Sequence, residues 1–347
     1  MPTDTSAPPA SPPATSRGVP LRQVVAQARG IIADAEASHD KVLRATLFLI
    51  KQGFLQDSVP GLRRLNNAGA YVGRVRRMGL IVGYLLRRGW GRGLGTVEQD
   101  GKGWKIVDFS ATSDVHVAPR EGSKRAVFVF AGVGAERRAA FDLTLLLQFL
   151  RGFDTHIFML RDSRKLLYMD GLQGLGKGVD QTAERLKAMA KDLGAERFFA
   201  IGNCGGSYAA LRYGLAMDVE RVLCFAPRTD YSGKLGLPEV DPDHYGRLDG
   251  LLAHERRDMR EIYERAPKRP MVDIYYGAEH ALDSAHAKHF DGLPGYTGYP
   301  VQGAAGRYIV PRLLRTGEFE ISVGRLLDLP VVKQASVRRA APAPETA

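Results

Sequence analysis

The 347-residue chain has only two cysteines, Cys204 and Cys224. Two cysteines cannot build a disulfide framework or a four-cysteine zinc site. No apolar run approaches the roughly 18 residues that a membrane-spanning helix needs. Residues 1–18 carry Pro2, Pro8, Pro9, Pro12 and Pro13 but no hydrophobic signal segment, so the cytoplasm is the expected compartment. Histidine is missing from the end of the chain, where His289 is the last. Acid is missing from Gly61 to Arg92. That window holds Arg63, Arg64, Arg74, Arg76, Arg77, Arg87, Arg88 and Arg92, so it supplies +8 of the net charge of +11. What is present is ordinary for a globular protein: 44% hydrophobic and 25% charged residues. A wholly disordered or collagen-like chain is excluded.

The pattern divides the chain into a disordered tail at 1–18, an arginine-rich helical extension at 19–100, an α/β domain at 101–332 and a second tail at 333–347. In the extension, Leu21, Val24, Val25 and Ala28 have helical spacing, as do Val42, Leu43, Leu47, Leu49 and Ile50. From Trp104 onward, short apolar runs alternate with longer helical patterns. Strands are expected at 104–109, 126–130, 155–160, 197–201, 221–225 and 271–276, with a last short one near Tyr299–Gln302. Helices are expected at 136–150, 181–193, 205–217, 254–265, 308–314 and 321–327. This alternation implies a mostly parallel sheet flanked by helices.

Between the strand at 197–201 and the helix from 205 lies Gly202-Asn203-Cys204-Gly205-Gly206, a G-x-C-x-G turn. A sharp strand-to-helix turn holds its central side chain above the sheet edge, and small neighbours let strand and helix approach. Cys204 would face the positive end of the helix, which favours a thiolate. The Gly205 N–H would receive the oxyanion of an attacked carbonyl, with Val133 or Gly134 as second donor. The plainer reading of Cys204 is a small residue in a tight turn. Ser207 is a weaker nucleophile candidate, and Cys224, inside an apolar strand, reads as core.

The segments FAGVG at 130–134, LRDSRKLLYMDGLQGLG at 160–176, GNCGGSYAALRYGL at 202–215 and RVLCFAPRTD at 221–230 resemble the α/β-hydrolase superfamily. More narrowly, they resemble hydrolase-like bacterial proteins of capsule and polysaccharide loci. The resemblance covers about residues 104–330 and implies an α/β-hydrolase-like fold with an N-terminal helical extension. The elbow of that group usually carries serine. Cysteine there is similar to the dienelactone hydrolases, whose Cys-His-Asp triad sits on the same fold.

A triad needs an acid and a base after the nucleophile in chain order. Asp283 is the first choice of acid, with Glu279 and Asp230 behind it. By resemblance the base belongs after the last strand, but Gly303-Ala304-Ala305-Gly306-Arg307-Tyr308 has no histidine, and Arg307 stands in its place. Arginine is too basic to accept a proton near neutrality. Three explanations compete: the base has moved to His280 or His286, hydrolysis has been lost and the old pocket binds a ligand or partner, or Cys204 acts with a substrate-derived base or as an acyl-accepting thiol. His156 and His289 read as structural, and the spacing of His280, His286 and His289 is no metal signature. Neither a metal nor a cofactor is expected.

Arg161 and Asp162 follow a strand at the sheet edge where such folds bind ligands. With Arg228 and Arg307 they would select an anionic substrate. The expected function is a cysteine-nucleophile hydrolase or acyltransferase acting on an ester, thioester or lactone, small or saccharide-linked. The alternative is an inactive ligand-binding or scaffold protein of a polysaccharide or envelope pathway. Residues 61–92 either cap the core, or contact a protein partner or the inner face of a membrane. Nucleic acid is not indicated, since no reader module is present.

Overall fold

The computed structural model describes residues 21–51, 54–87, 114–132, 150, 152–232, 234–235, 258–304 and 309–329. Both tails, the expected strand at 104–109, nearly all of the helix at 136–150, and Val133, Gly134 and Arg307 lie outside the described residues.

Short β-rich runs become the strands β1 (Val115–Ala118), β2 (Arg125–Phe130), β3 (His156–Leu160), β4 (Arg197–Asn203), β5 (Arg221–Phe225), β6 (Met271–Gly277) and β7 (Tyr296–Val301). They form one sheet in the order β1-β3-β2-β4-β5-β6-β7. Only β1 runs antiparallel, against β3; the other pairings are parallel. β2 to β6 are almost wholly apolar because helices cover both of their faces. The arrangement is α/β-hydrolase-like. β1 was not anticipated: four residues containing a histidine carry too little pattern to separate from loop.

Side-chain alternation sorts the sheet into two cores. Ala126, Phe128 and Phe130 pack with α5 (Gly178–Asp192), α6 (Gly205–Ala216) and α7 (Met259–Arg265). Val127, Val129, Phe225 and Tyr275 face the other way, against α9 (Val310–Thr316) and α10 (Glu318–Leu326) through Leu313, Phe319 and Val323. The N-terminal helices α1 (Leu21–Ala33), α2 (His39–Lys51), α3 (Leu55–Asn67) and α4 (Val72–Arg87) join this second core through Val42, Leu49, Leu65 and Met78. α4 packs directly on α9.

One arginine of the acid-free window has a structural task. Arg64 donates to the carbonyls of Ile32, Asp34, Ala35 and Ala37, and so closes the turn between α1 and α2. Arg63 and Arg76 are exposed. No helix among the described residues is long and apolar enough to cross a membrane.

Candidate active site

The turn after β4 is as tight as its glycines imply. Cys204 has φ 54° and ψ −122°, a left-handed conformation costly for any side chain, and it caps the N-terminus of α6. A Cβ on Gly202 would lie 2.4 Å from the Gly206 carbonyl oxygen, and one on Gly206 would lie 2.2 Å from that of Phe130. The strand and helix touch at these two positions. Cys204 alone from Ile201 to Ala210 is not buried. Its own N–H is used up by the Phe225 carbonyl at 3.0 Å, tying the elbow to the end of β5.

The loop after β2 is held just beside it. A Cβ on Gly132 would come 2.9 Å from the Asn203 oxygen and 3.5 Å from the Cys204 Cβ. The buried Tyr168 hydroxyl fixes this loop from below, 2.9 Å from the Ala131 carbonyl and 3.0 Å from that of Leu160. Burial pushes this phenol well above its usual range, so it stays a neutral donor. Gly205 supplies one of the first N–H groups of α6, which have no intrahelical acceptor.

At the neighbouring strand end, Ala226 is also left-handed, with φ 46°. The chain there turns Arg228 inward until it is 1% exposed. Its Nη1 donates to Asp283 at 2.8 Å and to the carbonyl of Pro227. Its Nη2 is buried and makes no hydrogen bond among the described residues. Burial works against the guanidinium charge. The electrostatic attraction of Cys204, then of Asp283, outweighs it and holds Arg228 charged more firmly than in water.

The expected triad partners are engaged elsewhere. Residues 281–288 form a helix, α8 (Ala281–Lys288), which is not among the helices expected from the sequence. His280 caps it: its Nδ1 accepts from the Asp283 N–H at 3.2 Å. His286 is buried, and its Nδ1 accepts from the Thr229 N–H at 3.2 Å, which places the imidazole proton on Nε2. Asp283, fully buried, faces Arg228 and lies 3.2 Å from the His280 Nδ1. The hydrogen bonds of His280 and His286 through Nδ1 run to the backbone of Asp283 and Thr229. His289 instead sits 2.7 Å from Asp258, and His156 is buried between the Arg120 N–H and the Ser123 carbonyl. Ser207 is buried with its hydroxyl on the Phe225 carbonyl. Burial pushes the Cys224 thiol up to about 12, so it stays inert.

Glu279 occupies the acid position after β6 in another way. It accepts from the N–H groups of Gly303 and Ala304, at 2.6 and 2.7 Å. The Gly303 N–H holds its carboxyl below the usual carboxylate range. The carboxylate thus binds the backbone of the loop after β7. At the opposite rim, Arg161 bonds to buried Asp114, which also receives Ser163 and the Gln173 N–H. Asp162 accepts from the Tyr168 N–H, and burial pushes its carboxyl up. These two rim residues organise the loop at 161–173. No group of residues among those described could hold a metal ion.

No family model matches the chain, and no curated protein matches it. Solved structures resemble it at a distance. An S-formylglutathione hydrolase from Agrobacterium tumefaciens is 14% identical with a TM-score of 0.43, over 62% of this chain and 92% of that one. An α/β hydrolase enzyme from a sediment metagenome of the Mar Chica lagoon is 13% identical with a TM-score of 0.41, over 64% and 99%. A lipase-esterase related protein from Clostridium acetobutylicum is 12% identical with a TM-score of 0.40, over 61% and 99%. The fold description rests on the chain's own strand order.

Proposed function

We propose that the protein is a cysteine-dependent acyl hydrolase or acyltransferase acting on an ester, thioester or lactone. The observation that carries this reading is the partly exposed, left-handed Cys204 between β4 and α6. Strain of this kind persists where the surrounding structure enforces it, and here it raises one sulfur above the sheet edge. The Cys204 sulfur attacks the acyl carbon, and an S–C bond forms. The carbonyl oxygen takes the negative charge, which the Gly205 N–H receives, with Val133 or Gly134 as second donor by sequence position. The carbonyl re-forms as the bond to the leaving group breaks. Water or an acceptor then takes the acyl group and restores the thiol. Arg228, with Arg307, favours a substrate carrying negative charge.

A second reading has its own support. His280 and His286 each have Nδ1 engaged, and Asp283 is committed to Arg228. A protein that only binds an anionic ligand, in a polysaccharide or envelope pathway, needs no proton acceptor at Cys204. Cytoplasmic placement, with or without contact at the inner membrane face through residues 61–92, fits either reading.

Intact-mass labelling with iodoacetamide from pH 5 to 9, on wild type and C204A, separates the two. Fast single-site labelling that C204A abolishes supports the enzyme. Labelling at the rate of a free thiol favours the binder.

A further inference from the structure

We infer that Tyr168 is a positioning residue for acyl transfer at Cys204: its buried hydroxyl sets the peptide plane at the end of β2, and with it the placement of the oxyanion-donating loop against the Cys204 turn. This rests on the reading that Cys204 is the nucleophile. A continuous set of contacts links the two residues. The Tyr168 hydroxyl lies 2.9 Å from the Ala131 carbonyl oxygen and 3.0 Å from that of Leu160, so it ties the end of β2 to the end of β3. The Ala131 N–H donates to the same Leu160 carbonyl at 3.0 Å. The next residue is Gly132, where a Cβ would lie 2.9 Å from the Asn203 oxygen and 3.5 Å from the Cys204 Cβ. Gly206, at the start of α6, closes on the same peptide: a Cβ there would lie 2.7 Å from the Ala131 oxygen.

The chain is strained to make this contact. Lys165, Leu167 and Tyr168 have φ 60°, 54° and 65°, a left-handed conformation that is costly for a side chain. Asp162 accepts the Tyr168 N–H at 2.9 Å, and the Tyr213 hydroxyl donates to the Tyr168 carbonyl at 2.7 Å. The fully buried ring packs edge-on against Phe130, with centroids 5.3 Å apart. The sheet order β3-β2-β4 gives the contact its consequence. Tyr168 draws the Ala131 oxygen to the β3 side, where Leu160 lies. The Ala131–Gly132 peptide is trans, so its N–H points to the other side, that of β4, whose end carries Cys204. Without the hydroxyl the buried Ala131 carbonyl loses this donor, and a buried carbonyl left without one turns toward water. That rotation carries the peptide N–H and the loop after it out of line with Cys204. An oxyanion donor works by already pointing at the oxygen, so its misplacement slows acylation. Alkylation of the sulfur at a saturated carbon forms no oxyanion and is insensitive to the loop.

The test uses the full chain with phenyl thioacetate and, in parallel, iodoacetamide, on wild type, C204A, Y168F, Y213F and G132A, with the Tm of each recorded. With the thioester, the Cys204 sulfur bonds to the acetyl carbon, benzenethiolate leaves with the electron pair, and the thiol proton goes to solvent. Intact mass follows the acetyl-Cys204 formed. Y168F keeps the ring and should lower the saturating acylation rate about 10–100-fold, with the half-saturating concentration and the iodoacetamide rate within about threefold of wild type. Y213F removes an equally buried hydroxyl from the same cluster, so it matches the structural loss, and should stay within about threefold of wild type on both reactions. G132A pushes the loop off Cys204 without touching Tyr168 and should slow acylation about 10-fold or more, so it carries the test if Y168F does not fold. Y168F acylating like wild type, Y213F losing as much as Y168F, or alkylation falling as far as acylation overturns the inference and leaves Cys204 as the nucleophile. G132A acylating like wild type overturns it as well. A wild type that the thioester does not acylate at Cys204 overturns the nucleophile reading itself, and the inference with it.

Discussion

The pair formed by Arg228 and Asp283 makes a stability prediction that can be worked through. The two side chains are 1% and 0% exposed and 2.8 Å apart. At an effective dielectric of about 20, their attraction is about 6 kcal/mol. Desolvation of both ions takes back most of that sum, so the intact pair adds little net stability. Breaking it is different. Arg228→Met leaves the buried Asp283 carboxylate without its guanidinium, 3.2 Å from the His280 Nδ1, and should cost about 3–5 kcal/mol. Replacing both partners removes both desolvation costs, so R228M/D283L should fall within about 1 kcal/mol of wild type. Urea denaturation of the four members of the cycle measures this. A common m-value would show that the compactness of the end states is unchanged. A single-variant loss under about 1 kcal/mol would refute the reasoning, because it would mean the charge is not sealed from water. A double variant as unstable as R228M would refute it too, since the loss would then come from packing and not from an orphaned charge.

Other perturbations have equally definite outcomes. Cys204→Gly removes the left-handed strain and should raise stability by about 1 kcal/mol in a thermal or urea melt, while abolishing all labelling at this turn. Gly206→Ala drives a methyl toward the Phe130 carbonyl and should cost about 2–3 kcal/mol, read as a lowered Tm. Arg64→Ala strips four carbonyls of their donor between α1 and α2 and should cost about 2–3 kcal/mol by the same measurement. His156 is held below its ordinary range, chiefly by burial. Its unfolded form binds the proton more readily, so its contribution is complete above about pH 6.5 and is lost as the pH falls from there through the folded pKa. His156→Gln should flatten the stability profile of wild type below about pH 6.5.

The parts of the molecule that the sequence determined by itself are those whose physics is local. β2 to β6 show as apolar runs because strands covered on both faces need no polar alternation. The elbow shows because a turn this tight admits only small residues around Cys204, and those residues are contiguous. The inertness of Cys224 follows from its place inside such a run. Four-residue β1 and eight-residue α8 were too short to leave a pattern, and α8 depends on a histidine cap that reads as loop. The chemistry of the site was decided only by tertiary structure. Arg228 and Asp283 are 55 residues apart, Thr229 and His286 are 57 apart, and Glu279 binds the amides of Gly303 and Ala304 across a strand. Which carboxylate meets which cation depends on the strand order that sets the ends of β4, β5 and β6 side by side. Burial then fixes the outcome, because a charge withdrawn from water must take whatever opposite charge the fold brings to it.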